Sequence, residues 1–279
     1  MSRAARAIRG TPTSAAPFER SMIEAAATTV PPAASRAAMH SRVEPPVVEK
    51  VRRIPEAPRT PFDALLSDPN FSDFKVRALC HNRTLQASER VEVVKGSIEH
   101  RSVVEEAFAG VTHVLHLATC KETPEAIMDV AIKGLFWMLE TARLSKGFEQ
   151  FILIGGDAGM GHFFYPHPIP VTETQKHTAY PGCYAFSKAI EEAMLEQYYV
   201  QYDLNGCCLR CPWIMEKDDF KYQLSFGDDV FGGPRWCEMV PPDEAKKHYA
   251  AGAVPVMLDP EGVPVKRNFV HVEDLVSAI

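Results

Sequence analysis

Residues 148–156, FEQFILIGG, decide the fold that this sequence predicts. The run is short, apolar and closed by two glycines, which is typical of a strand buried in the centre of a sheet. A long amphipathic helix is predicted after it at 183–202, CYAFSKAIEEAMLEQYYVQY, and a further strand at 206–213, GCCLRCPW. Strand, helix and strand in this order predict a βαβ unit with parallel strands.

The same alternation extends toward the N-terminus. FKVRALC (74–80), VEVVKG (91–96) and THVLHLA (112–118) have the composition of short strands, and RSVVEEAFAG (101–110) has helical spacing. Between Thr123 and Gly147 a helix is predicted, with Thr123 as its cap and an apolar body that should be largely buried. The fold predicted is therefore α/β, with a doubly wound and mainly parallel sheet.

Composition excludes several classes of protein. The chain has 279 residues, 46% of them hydrophobic, which is enough for a sizeable core in one domain or two. A net charge of −6 argues against a nucleic-acid partner, and no apolar run approaches the roughly 20 residues that span a membrane. Seven scattered cysteines, without a secretory segment, indicate reduced thiols and a cytoplasmic location.

Residues 1–60 differ from the rest of the chain. They are rich in Ala, Ser, Arg and Pro, and the first acidic residue is Glu19. This composition predicts a disordered tail and linker. The alternative is a transit peptide for import into an organelle, because such segments favour Arg and Ser and avoid acids.

Tyr184 and Lys188 form the candidate catalytic pair. Positions i and i+4 share one face of a helix, so the phenol and the ammonium should lie side by side. A nearby ammonium lowers the pKa of a tyrosine, which suits a general acid or base near neutral pH. The alternative is a half-buried tyrosine beside a lysine that extends to solvent. The spacing alone does not decide between them, because a single Y-x-x-x-K is a weak motif.

Five motifs in order give the chain a family resemblance from about Val76 to Ile279. They are GVTHVLHLA (110–118), AIKGLFWMLETA (131–142), YAFSK (184–188), CCLRCPWI (207–214) and RNFVHVEDLVSAI (267–279). Together they resemble the extended short-chain dehydrogenase/reductases, the NAD-dependent epimerase/dehydratase family. The resemblance implies a Rossmann fold with a nicotinamide cofactor, and a small-molecule substrate bound by the region that follows Pro212.

The resemblance also implies roles for individual residues. Tyr184 is the expected catalytic acid/base, and Lys188 is expected to bind the nicotinamide ribose. Ser97 and Ala118, which follow predicted strands, are expected to border the cofactor.

A homodimer is expected from the same resemblance, in which the helices around 123–146 and 183–202 pair across a two-fold axis. Independently of the resemblance, the surface of the helix around 123–146 is expected to be buried against another element or another subunit. Its apolar surface is broad and includes Phe136, Trp137 and Met138.

The sequence departs from the family at the cofactor end. The family opens with a strand and a glycine-rich loop that cradles the pyrophosphate, but the only glycine before Phe74 is Gly10. The first βα unit is therefore predicted to be missing, although TPFDALLSDPNFSDF (60–74) resembles a remnant of its helix. The strand FKVRALC (74–80) corresponds to the second strand of the family. It is followed by His81 and Arg83 instead of an acidic residue, which favours NADP over NAD.

A second departure concerns the catalytic hydroxyls. Gly155 and Gly156 stand where the family has serine or threonine. Asp157 is adjacent and is a candidate for orienting a substrate hydroxyl, or else a turn residue. His162 and His167 are either replacement donors or ordinary loop histidines.

The predicted organisation has three parts. Residues 1–60 are the tail and linker, 61–211 the Rossmann-like core, and 212–279 a substrate-binding part with a strand and helix that return to the core. The chain stops inside a helix of the family's plan, so this last part is expected to be incomplete. Its aromatic residues line an apolar pocket or form a small core, and the sequence leaves both open: Trp213, Phe220, Tyr222, Phe226, Phe231 and Trp236.

No metal site is predicted. Cys208 and Cys211 have C-x-x-C spacing but lie in a predicted buried strand without a second pair, so they are interpreted as small core residues.

Two functions remain open. One is an NAD(P)-dependent oxidoreductase or epimerase acting at a carbinol or carbonyl carbon. The other is a non-catalytic or incomplete relative that binds the cofactor weakly or not at all.

Overall fold

The computed structural model describes residues 60–120, 123–161, 171–216, 219, 224–227, 235–258, 261–266 and 268–279. The chain divides into two compact units. One comprises Met1–Pro55 with Pro170–Gln175, of which only 171–175 are described; there the Gln175 amide donates to the Thr172 carbonyl at 3.2 Å. The other, Glu56–Ile169 with Lys176–Ile279, carries every element below. The predicted tail, and most of the segment in which the first βα unit is predicted to be missing, lie outside the described residues.

The predicted helical remnant is a helix. α1 spans Pro61–Ser67 and begins with a capping box, in which the Thr60 hydroxyl accepts from the Asp63 amide and the Asp63 carboxylate accepts from the Thr60 amide. Its carboxyl end is closed by Arg90, which reaches across from the start of the second strand. The guanidinium donates to the carbonyls of Leu66 at 2.9 Å and Leu65 at 3.1 Å, and further on to those of Phe71 and Phe74.

The strand ladders of the described residues are parallel, in agreement with the mainly parallel sheet that was predicted. β1 (Val76–Cys80) pairs with β2 (Val91–Lys95). β3 (His113–His116), β4 (Gln150–Ile154) and β5 (Gly206–Leu209) form a second sheet with β4 in the middle. β6 (Trp213–Met215) pairs with β7 (Phe269–His271). Among the described residues, no ladder joins β1 to β3.

The predicted strand 206–213 is two strands. β5 ends at Leu209 and pairs with β4, whereas β6 begins at Trp213 and pairs with β7. Pro212 lies between them, and because proline has no N–H it cannot donate to a ladder. The Cys211 amide bonds back to the Leu209 carbonyl at 2.9 Å, which turns the chain at this point.

The helices contribute to a hydrophobic core that they share with the second sheet. α2 spans Arg101–Ala107, α3 Pro124–Ala126, α4 Leu135–Leu144 and α5 Cys183–Tyr202. The core beneath them is a cluster of buried side chains from α2, β3, α4, β4 and α5, among them Val104, Val114, Leu139, Phe151 and Leu195. Phe151 and Leu153, which alternate along β4, are fully buried.

The predicted helix 123–146 is not a continuous α-helix. A π-helix occupies Ile127–Gly134 between α3 and α4, the helix ends at Leu144, and Thr123 makes no side-chain capping bond. Because the sequence is apolar on almost every face here, it carries no period that distinguishes a π-helix from an α-helix. Gly134 packs closely against the segment that leads into α2: a Cβ there would lie 2.7 Å from Cγ1 of Ile98.

The described part of the C-terminal region contains α6 (Pro242–Ala250), β7 and α7 (Val272–Ala278). Trp236 is buried, and the ring of Phe226 packs on that of His248 at a centroid distance of 4.9 Å. Trp236 therefore packs as a core residue and Phe226 is half-buried, while Phe220, Tyr222 and Phe231 lie outside the described residues. No helix in the described ranges is both long enough and apolar enough to cross a membrane.

Candidate active site

The first turns of α5 bring Tyr184 and Lys188 against the end of β4. The helix starts after Gly182, whose φ of 152° is in the region that favours glycine. The Lys188 ammonium lies 5.7 Å from the centroid of the Tyr184 ring, and its Nζ is 3.4 Å from the carbonyl oxygen of Ile154. The two side chains therefore lie side by side, as the i, i+4 spacing predicts.

Gly156 lies directly beside this pair. A Cβ built on Gly156 would be 3.7 Å from the Tyr184 hydroxyl and 3.7 Å from Cγ of Lys188. The backbone there is extended, with φ −159° and ψ 153°, which any residue adopts. A methyl group at position 156 would thus fit in ordinary van der Waals contact with the Tyr184 hydroxyl and with Lys188.

Lys188 does not extend to solvent. Its ammonium forms an ion pair with Glu191, with Nζ 2.8 Å from Oε2, and the two side chains are 4% and 0% exposed. Burial raises the pKa of Glu191, and the adjacent Lys188 opposes that rise. The interpretation of Lys188 as a surface lysine is therefore wrong.

The pKa of Tyr184 moves in the opposite direction to the prediction. Burial raises it to about 12, and the negative charges of Glu191 and Asp157 act in the same direction. The expected lowering by Lys188 is not found, because the ammonium is already paired with a carboxylate. Tyr184 is therefore a protonated phenol at neutral pH, suited to donating a proton rather than accepting one.

His116, at the end of β3, is a buried neighbour of Lys188 that the motifs did not indicate. Its Nε2 has no hydrogen-bond partner among the described residues. Burial lowers its pKa to about 3, and the Lys188 charge contributes to this. His116 is therefore a neutral imidazole beside the ion pair.

A second ion pair fixes the position of α5. Glu192 accepts from the Arg210 guanidinium at 2.9 Å and lies 3.3 Å from Nε2 of His177. Burial alone would raise the pKa of Glu192, but the adjacent His177 ring and the hydrogen-bonded Arg210 guanidinium hold it at about 2. The pair links the helix to the chain just after β5.

Glu191, Glu192 and Arg210 were not among the predicted site residues. The signal for Glu191 is present in YAFSKAIEE (184–192), since i and i+3 share a helix face, but a charged residue at a buried helix position is uncommon enough not to be expected. Arg210 and Glu192 are 18 residues apart, and only the fold brings them together.

The other predicted site residues lie at the ends of strands. Asp157 follows β4, and its amide donates to the Cys211 carbonyl at 3.1 Å. His81 and Arg83 are exposed after β1, and the Arg83 carbonyl is 3.4 Å from Nζ of Lys95. Ser97 is buried after β2, and Ala118 is half-buried after β3. His162 and His167 lie outside the described residues.

Cys208 and Cys211 are free thiols. Burial raises the pKa of both, that of Cys211 to about 11. Both are therefore protonated near neutral pH, as befits small packed side chains. Within the described ranges, no three His, Cys, Asp or Glu side chains are grouped to hold a metal ion.

Solved structures share this fold. A short-chain dehydrogenase/reductase superfamily protein from Agrobacterium tumefaciens with bound NAD is 20% identical, with a TM-score of 0.59, covering 78% of this chain and 67% of that one. UDP-glucose 4-epimerase from Thermus thermophilus, in complex with NAD, is 20% identical with a TM-score of 0.52, covering 78% and 68%. UDP-glucose 4-epimerase from Thermotoga maritima, with UDP-glucose, is 17% identical with a TM-score of 0.54, covering 78% and 67%. The fold is thus Rossmann-like, as predicted.

No curated protein matches the sequence. The sequence model of the NAD-dependent epimerase/dehydratase family matches residues 65–215. That span is more than half of the chain, and it contains β1 to β6 with the Tyr184–Lys188 pair. The family and the solved structures name NAD and give no support to the NADP preference expected from His81 and Arg83. The chain belongs to the NAD-dependent epimerase/dehydratase family.

Proposed function

We propose that this chain is an NAD-dependent oxidoreductase or epimerase that acts at a carbinol or carbonyl carbon of a small molecule, with Tyr184 as the group that moves the proton. The observation that carries the proposal is the position of Tyr184. Its hydroxyl lies beside Gly156 at the end of β4, with the Lys188 ammonium 5.7 Å from its ring. In an open α/β sheet this end of the strands is where ligands bind.

The nicotinamide end of NAD fits the residues present. The Lys188 ammonium has three N–H donors, of which one is used by Glu191 and one points to the Ile154 carbonyl at 3.4 Å. A third donor remains for a ribose hydroxyl. When bound, the cofactor would supply or accept a hydride. Asp157 is proposed to orient the substrate hydroxyl, since it lies close enough to Tyr184 to raise its pKa.

The pyrophosphate end fits less well. The sequence before Phe74 contains one glycine, Gly10, and no glycine-rich loop that would let backbone amides approach two phosphates. Hydrogen bonds to a charged group are worth about 1.5–3 kcal/mol each, so the absence of several weakens binding by orders of magnitude. We propose Ser97 and Ala118 as contacts of the cofactor, with His81 and Arg83 at its adenosine end, where they would tolerate NADP.

A non-catalytic, weakly binding relative is the second candidate. Three observations favour it: Gly155 and Gly156 provide no hydroxyl, Lys188 is held by Glu191, and the sequence has no glycine-rich loop before Phe74. The chain would then keep the family's fold as a binding or regulatory protein.

Titration of the chain with NADH and with NADPH, followed by cofactor fluorescence, tests whether the chain binds the cofactor and whether Lys188 contributes to that binding. We expect NADH to bind with a dissociation constant well above the micromolar range and Lys188→Met to weaken it further. Glu196→Gln, on the same helix, is the matched control. Saturation that is unaffected by Lys188→Met would place the cofactor elsewhere, and no binding at all would favour the second candidate.

The assembly and organisation also form part of the proposal. We propose a homodimer through α4 and α5, a core at 61–211 and a substrate-binding part at 212–279. The exposed apolar side chains of these two helices support the dimer: Phe136, Leu144, Tyr199, Val200 and Tyr202. The free cysteines support a reducing, cytoplasmic location.

A further inference from the structure

Glu191 is the most deeply buried charged group of the site. Its side chain is 0% exposed, it lies one turn after Lys188 on α5, and its Oε2 is 2.8 Å from the lysine Nζ. Its Oε1 has no hydrogen-bond partner among the described residues. A carboxylate in such surroundings is costly unless it is paired, so the two charges depend on each other.

Several other titratable groups face this pair from the neighbouring elements. They influence the charges of Tyr184, Lys188 and Glu191, and come from β3, β4, β5 and the segments next to them: His116, Cys120, Asp157, Tyr180, Cys208 and Cys211. Burial keeps His116 neutral and raises the pKa values of the three thiols. None of these four therefore replaces Glu191 as the partner of the ammonium near neutral pH.

The net charge of the group decides how readily it loses a proton. With Glu191 ionised, a neutral phenol and an ammonium give Tyr184, Lys188 and Glu191 a net charge of zero. Loss of a proton from Tyr184 or Lys188 would then leave an uncompensated negative charge in a buried place. Without the Glu191 carboxylate, Tyr184 and Lys188 together carry a net positive charge. Loss of one proton from them is then more favourable than it is with Glu191 present.

We propose that Glu191 is a positioning residue for the Tyr184–Lys188 pair, holding the ammonium on the inner face of α5 and keeping both protons on the pair. This inference deepens the proposed function and rests on it for its meaning in catalysis. A site with both protons in place donates a proton from Tyr184 to a carbonyl oxygen. Glu191 therefore favours reduction of a carbonyl over oxidation of a carbinol at neutral pH.

The test compares Glu191→Gln with Glu196→Gln, which removes a charge from the same helix away from the site. Tyrosinate absorbance against pH, as the difference between each protein and its Tyr184→Phe counterpart, isolates Tyr184. Nitrogen NMR of lysine-labelled protein, assigned with Lys188→Met, follows Lys188. We expect Glu191→Gln to release the pair's first proton at a pH at least about one unit lower than wild type, because a full unit charge is removed.

Glu196→Gln should titrate as the wild type does. Glu191→Asp keeps the negative charge, so its titration should lie close to that of the wild type. Unchanged titration of both Tyr184 and Lys188 in Glu191→Gln would overturn the proposal. All these measurements use the protein without cofactor. If NADH fails to bind, the proposed function fails, while the titration still decides the role of Glu191.

If Glu191→Gln does not fold, a second measurement, of stability in urea, tests the proposal. Lys188→Met leaves a buried carboxylate unpaired, whereas the double variant Lys188→Met/Glu191→Gln removes both charges. We expect the double variant to unfold at a higher urea concentration than either single variant. Losses that simply add in the double variant would show that the two residues act independently, against the proposal.

Discussion

Gly155 and Gly156 are adjacent, yet their surroundings are opposite. A Cβ on Gly155 would lie 2.5 Å from Sγ of Cys208, whereas a Cβ on Gly156 would meet nothing closer than 3.7 Å. Gly155 is therefore required by the packing of β4 against β5. Gly156 is not required by packing, since a Cβ there would be in ordinary contact with Tyr184, Lys188 and the Cys211 carbonyl.

The two glycines should respond differently to alanine. Gly155→Ala inserts a methyl group into a filled space and should lower the free energy of unfolding by about 1–3 kcal/mol. Gly156→Ala should change it by less than about 0.5–1 kcal/mol, since the backbone is extended and a methyl group there makes no close contact. Urea unfolding of both variants measures this, and equal losses would contradict the difference in packing.

Tyr184→Phe tests the catalytic role. Removing the hydroxyl should reduce turnover of any identified substrate by about 10² or more, because general acid catalysis is lost, while NADH affinity stays nearly unchanged. Since the pKa of Tyr184 is about 12, the proton donor is present throughout the neutral range. Reductive turnover should therefore be insensitive to this group until the pH approaches 12. Wild-type turnover in Tyr184→Phe would remove Tyr184 from the mechanism.

Glu192 should make stability depend on acid pH. Its pKa in the folded protein is about 2, below the roughly 4.3 of an unfolded chain, so its stabilising effect is complete above about 4.3 and is lost as the pH falls toward 2. Glu192→Gln removes the charged hydrogen bonds between this carboxylate and Arg210 and should cost about 1.5–3 kcal/mol at neutral pH. The difference from wild type should narrow as the pH falls, measured by urea unfolding at several pH values. A constant difference would show that the charge of Glu192 is not responsible.

The proposed dimer is tested at Val200, which is 67% exposed on α5. In a dimer formed by α4 and α5, Val200→Glu buries an unpaired charge and should yield monomers, whereas Val254→Glu, at another exposed valine, should not. Sedimentation velocity at micromolar concentration distinguishes the two. A well-folded wild-type monomer would rule out this interface.

The sequence predicted the fold well because the signals are local. Helices and strands alternate in apolar runs bounded by glycine, and α5 runs from Cys183 to Tyr202 as the sequence indicates. The break between β5 and β6 at Pro212 and the π-helix before α4 were missed. Pro212 is a local signal of the first break that the prediction of a single strand overlooked. The π-helix lies in a stretch that is apolar on almost every face, where no period distinguishes it from an α-helix.

The site was predicted only in part, for a similar reason. The spacing of Tyr184 and Lys188 predicts that they share one face of the helix, but it does not predict whether that face is buried. The burial of Lys188 and Glu191 follows from the packing of α5, and burial is what reverses the predicted direction of the Tyr184 pKa. Met138, which was expected to be covered as part of the broad apolar surface of its helix, is buried in the protein's own core.

Arg90 recognises α1 by main-chain atoms, since all of its bonds to residues 65–74 go to carbonyl oxygens. Carbonyl groups are the same whatever the side chains, so these four bonds do not constrain which residues stand at 65, 66, 71 and 74. Side chains in the segment can therefore change without loss of these four bonds. The attachment of residues 65–74 through these bonds depends on Arg90 alone. A lysine at position 90 has a single ammonium instead of a planar guanidinium, and it would not reach the same four carbonyl oxygens.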